Sequence, residues 1–217
     1  MPRRVFIIAF SLSLPFLAAF AQEESNGSSR ASAVIREMNL ARENPQTYAA
    51  HLEALRATFN GSSITLPNGV RIRTHEGTRA VDEAIRFLRH TQPLGPLATS
   101  SGMSRAAADH CAEQAGGGFG HGNPAARLAR HGTCAGGWAE NISYGKSSAR
   151  DVVLALIVDD GQPARKHRQN IFNPTYSCAG AAFGSHAKFG SMCTIEFAGG
   201  YAERGQSIDA PLIAKNL

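Results

Sequence analysis

Apolar positions recur at helical spacing through much of the chain and at strand spacing near its end. Val34, Ile35, Met38 and Ala41 predict a helix over 32–43, stopped by Asn44-Pro45. Pro45 opens a second helix through Tyr48, Leu52 and Leu55 towards Phe59. Ile64, Leu66, Val70 and Ile72 alternate around Pro67 and Gly69, which suggests a small hairpin. A third helix is predicted over 78–90 with Val81, Ile85 and Leu88 on one stripe. A fourth runs over 102–114 behind a Ser100 or Ser101 cap, with Met103, Ala107 and Cys111 on its face.

Residues 116–120 hold four glycines and read as a loop, as does the Gly-rich stretch around Trp138. Val152, Val153, Leu156 and Ile157 build the apolar face of a helix over 149–159. Two strands, 178–183 and 192–197, then form a hairpin with a loop of seven residues, 184–190. Helices followed by hairpin strands, without βαβ alternation, predict an α+β domain.

The first 21 residues change the picture of where the chain works. Arg3 and Arg4 precede an apolar run ending in Ala19-Phe20-Ala21, the form of a cleavable secretory leader. The expected organisation is a leader over 1–21, a flexible lead-in over 22–31, one domain over 32–203 and a tail over 204–217. The product is then secreted, extracellular or periplasmic, with no stable membrane span once the leader is gone. The formal charge is +5, of which Arg3 and Arg4 carry two, and no basic block is interleaved with aromatics. Nucleic acid is therefore not an expected partner.

Four cysteines, Cys111, Cys134, Cys178 and Cys193, are an even set for an oxidising compartment. Two disulfides are expected, and the chain order favours Cys111–Cys134 and Cys178–Cys193 because each closes a local loop. A zinc site made of all four cysteines is the weaker reading, since no close Cys-x-x-Cys pair exists.

The candidate chemistry lies in His121, Glu140, the pair Asp159-Asp160, and His167. Imidazole nitrogens bind zinc-like ions, and carboxylates orient the ring or a water, so such a set makes a metal site or an acid/base site. The chain has neither the Gly-x-Ser-x-Gly elbow nor a His-Glu-x-x-His helix, which argues against an α/β-hydrolase and a zincin protease.

The order of motifs resembles a known family. Gly-His121, then Glu140-Asn141-Ile142, then His167-Arg168-x-Asn170-Ile171-Phe172-x-Pro174, then the Gly180 and Cys193 strands are similar to the CAP superfamily. These are the cysteine-rich secretory, antigen 5 and pathogenesis-related-1 proteins, here of the bacterial secreted type, and the likeness covers residues 33–201. The resemblance implies an α-β-α sandwich with a small antiparallel sheet and a central cleft for zinc or another divalent cation. His121 and His167 match the metal-binding histidines and Glu140 the first acid. Asp160 is the better match to the second acid, with Asp159 as the fallback. Ala139 and Lys166 stand where relatives carry glycine. The function implied is a secreted binding module for a divalent metal and a small apolar ligand such as a lipid or sterol. The alternative is an extracellular metal-dependent hydrolase, peptidase or esterase, with Glu140 and His167 as candidate catalytic residues.

Overall fold

The computed structural model describes residues 14–65 and 71–205, with side chains from residue 27 onward. Its helices are α1 (Leu14–Glu43), α2 (Pro45–Ala57), α3 (Thr78–His90), α4 (Ser101–Gln114), α5 (Pro124–His131), α6 (Ala149–Val158) and α7 (Lys166–Ile171). The main sheet combines β4 (Ala98–Thr99), β5 (Gly132–Tyr144), β6 (Cys178–His186) and β7 (Gly190–Glu203) in the order β4-β6-β7-β5. Its long ladders are antiparallel, and the two-residue β4 runs parallel to β6. A separate small sheet, β1 (Phe59–Asn60), β2 (Ser63–Thr65) and β3 (Arg71–Arg73), forms the excursion. Leu66 and Val70 and the Pro67–Gly69 turn fall outside the described residues.

Alternation along β6 and β7 divides the core between two helical layers. Ala179, Ala181, Cys193, Ile195 and Phe197 face the cluster built by α1, α2, α3 and α6. Cys178, Ala182, Met192 and Ala198 face α4 and α5. This is an α+β sandwich, helices on both faces of one sheet. The α4 layer lies very close to β6: a Cβ on Gly180 would collide with the backbone N of Ser104, and one on Gly184 would lie 2.6 Å from Cys111 Cβ. Glycine at these positions is what permits the approach.

Several expectations change. The lead-in over 22–31 is helical, because α1 begins at Leu14; Ala31 is buried and the Arg30 guanidinium sits 4.7 Å from the Phe183 ring centroid. The stretch around Trp138 is strand, with a bulge between Ala135 and Trp138 absorbing its glycines. The β6–β7 hairpin closes through residues 187–189, shorter than the seven-residue loop expected. Helix α5 was not anticipated, although Asn123-Pro124 carries its signal: Asn123 Oδ1 accepts from Ala126 N and Pro124 fills the first turn.

The expected disulfides are not formed, and all four cysteines are unpaired. Cys178 opposes Ala198 while Cys193 opposes Phe183, five positions along the ladder. That offset is about 17 Å of strand, far beyond disulfide reach. The two side chains also point to opposite faces of the sheet. Cys111 sits on α4 beside Ala182, whereas Cys134 lies at the far end of β5 opposite Tyr201. Among the described residues, no helix is long and apolar enough to cross a membrane.

Candidate functional site

Two buried carboxylates each hold a histidine at the edge strand β5. Glu140 and Asn141 are adjacent on that strand, so their side chains leave on opposite faces. Glu140 points to the α4–α5 layer, where its Oε1 lies 2.7 Å from His121 Nδ1. Asn141 points the other way, and its Nδ2 donates to the His167 carbonyl at 3.0 Å. Asn170 Nδ2 donates to Asn141 Oδ1, fixing the amide orientation that holds α7.

The second histidine is set by the α6–α7 connection. Asp159 ends α6 in the left-handed region (φ 55°), a conformation Asp tolerates. Its Oδ2 accepts from His167 N at 2.9 Å and its Oδ1 lies 2.6 Å from His167 Nδ1. Asp160, expected in the cleft, instead turns outward and accepts from His75 N and Glu76 N. The acid that contacts His167 is thus Asp159, the fallback, and not Asp160. The reason is local: the left-handed residue aims its own carboxylate back at the following helix start, and the next residue faces the excursion.

Both imidazoles keep Nε2 without a hydrogen-bond partner among the described residues. Their side chains are accessible, 54% for His121 and 24% for His167, above carboxylates that are nearly buried. A carboxylate on Nδ1 fixes the tautomer with Nε2 as the lone-pair donor, the arrangement found behind metal-binding histidines. Each Nε2 has the donor chemistry of a cation ligand. Among the described residues, no three His, Cys, Asp or Glu side chains are grouped as a metal site. Lys166 is exposed, directed to solvent.

Glu140 is itself embedded in charge. Arg127, buried, donates to Glu140 Oε2 at 2.6 Å, to the His121 carbonyl at 2.8 Å and to Glu113 at 3.0 Å. Glu196 is the cross-strand neighbour of Glu140 and is fully buried. Neither of its carboxyl oxygens has a hydrogen-bond partner among the described residues. Burial, reinforced by the negative Glu140, pushes the Glu196 carboxyl up to about 10, so it is neutral at pH 7. One arginine neutralises one carboxylate, and the second acid keeps its proton. Arg127 and Glu196 were not among the sequence candidates. His110, buried, holds the glycine-rich loop through the Gly120 carbonyl. His186, at the end of β6, is 2% exposed.

A groove of about 980 Å³ runs between α1, α4 and β6, away from β5. Ala31, Ile35, Ala108, Ala112, Ala182 and Phe183 are among the residues lining it. The two sites are separate features of the surface.

A family model described as the CAP, cysteine-rich secretory protein family matches residues 68–197. Among solved structures, a cysteine-rich secretory protein from Staphylococcus aureus is similar at 14% identity and a TM-score of 0.40. The likeness covers 60% of this chain and 41% of that one, so the chain spans less than half of that protein's length. No curated protein matches the chain.

Proposed function

Because the chain belongs to the cysteine-rich secretory protein (CAP) family, we propose that it is a secreted binding module, with one site for a divalent cation and another for an apolar ligand. His121 and His167 are the cation ligands through Nε2. Glu140 and Asp159 raise the basicity of those rings and fix their orientation. A bound cation would supply positive charge and open coordination positions for water or an anionic group. The observation that carries this reading is the matched pair of Nδ1–carboxylate contacts, each leaving Nε2 free.

Zinc titration by calorimetry tests it. Saturable binding is expected in the full chain and none in the His121→Ala, His167→Ala double variant. Unchanged affinity in that variant would sink the reading. The apolar ligand belongs in the α1–α4 groove, whose volume suits a single acyl chain or ring system. Ala112→Trp should block uptake of a fluorescent fatty acid there while leaving zinc affinity intact; equal uptake by the variant would assign the ligand elsewhere.

A further inference from the structure

Three loops meet at one end of the sheet and place an aromatic surface in solvent. They are the α4–α5 loop (115–123), the start of the β5–α6 connection (144–148) and the hairpin tip (184–191). The Phe119 ring stacks on Tyr144 with centroids 5.0 Å apart and planes at 22°. Phe189 lies 5.1 Å from Tyr144 and 6.4 Å from Phe119. Phe119 is 76% exposed and Phe189 37%, two of the four large apolar side chains exposed among the described residues. Water-facing phenylalanines cost apolar hydration, and their clustering points to a surface that is covered in use.

The loops are rigidly joined, so the patch is a built surface. Ala187 N donates to the Ala115 carbonyl and Gly145 N to the Ser191 carbonyl. His186 Nδ1 accepts from Lys188 N and Phe189 N, which makes Nε2–H the donor to the Gly118 carbonyl at 2.8 Å. Tyr144 Oη accepts from Gly120 N and donates to Gln114. The backbone polar groups behind the rings are therefore satisfied before any partner arrives.

Charge selects the partner. Lys188 Nζ lies 5.3 Å from the Phe189 ring centroid, and Lys146 follows Tyr144-Gly145 on the neighbouring loop. The three loops hold no Asp or Glu. Protruding tips carrying exposed aromatics, with lysines beside them and no acid, are complementary to a flat, anionic, partly apolar surface. Aromatic rings sit at the headgroup level of a bilayer, and nearby lysines gain from anionic lipid. We infer that the Phe119–Tyr144–Phe189 patch docks the protein onto an anionic membrane surface, with Lys146 and Lys188 against the headgroups.

The test places a reporter in the patch, in the full chain. Phe119→Trp in a Trp138→Phe background makes position 119 the only tryptophan, and its reading is separate from any contribution of residues 1–21. With vesicles of phosphatidylglycerol and phosphatidylcholine, its emission should shift to the blue and be quenched by brominated acyl chains. Pure phosphatidylcholine should give little of either. Adding Lys146→Glu and Lys188→Glu should weaken the response at least tenfold, with thermal stability unchanged because neither lysine is buried. Emission indifferent to anionic vesicles overturns the inference. So does a response independent of the two lysines, or one given by a soluble polysaccharide and not by vesicles.

Discussion

Glu196 shows how a single carboxyl can govern the site's response to pH. Its folded value of about 10 stands well above the ordinary 4.5. Between those values the native protein holds a proton that the unfolded chain releases, so stability falls as pH rises through that window. Glu196→Gln removes the dependence. Thermal melts should show the wild type losing about 2–4 kcal/mol between pH 5 and pH 8 from this group, and the variant losing less by that amount. Parallel pH profiles would refute the assignment of a neutral Glu196. Arg127→Met is the converse case: it leaves Glu140 buried without its cation and should cost about 3–5 kcal/mol. Neither residue stood out in the sequence. Glu196 alternates with Ile195 and Phe197, which reads as a strand with one wet face, and only the packing of α4 makes that face dry.

At the scale of elements, the α6–α7 connection decides which acid meets His167. Asp159 and Asp160 are indistinguishable as a sequence pair, and the helix period alone ends near both. The left-handed turn at Asp159 separates them, and backbone conformation of that kind is not written in a dipeptide. Asp160 and Arg165 tie the connection to the excursion instead. Arg165 donates to Glu76 at 2.6 Å and to Glu83 at 2.7 Å. The Arg165 contact holds the Glu76 carboxyl down at about 2, against an ordinary 4.5. That sign gives stability present above pH 4.5 and lost as pH falls towards 2. Asp160→Ala should speed amide exchange at His75 and Glu76 while the rest of the protein keeps its protection. Uniform acceleration would mean that Asp160 supports the whole fold. Elements with strong apolar stripes were legible from the sequence, α3 over its full length among them. Strand β5 was not, because its glycines look like a loop until β7 supplies the hydrogen-bonded partner.

Across the whole molecule, the order of motifs in the chain announced the family and the α+β sandwich, and the match over residues 68–197 shows the family. What order could not announce was three-dimensional register. Cys178 and Cys193 are close in sequence yet lie five ladder positions apart, on opposite faces. Burial pushes the Cys178 thiol up to about 11 and the Cys193 thiol well above its ordinary value, so both resist oxidation in the folded state. Protein purified without reductant and unfolded in denaturant should titrate four thiols; none would restore two disulfides. The same distinction between order and register applies to the site. The sequence put Asp160 ahead of Asp159 as the second acid, whereas the fold sets Asp159 against His167 and turns Asp160 to His75 and Glu76.

The most direct test of the cation-binding account is a zinc titration of four single variants against the wild type. His121→Ala and His167→Ala should each abolish high-affinity binding. Asp159→Asn should weaken it about 10–100-fold, the usual effect of losing a carboxylate behind a ligating histidine. Asp160→Asn should bind as the wild type does. Equal losses for the two aspartate variants, or retained affinity without either histidine, would contradict the account.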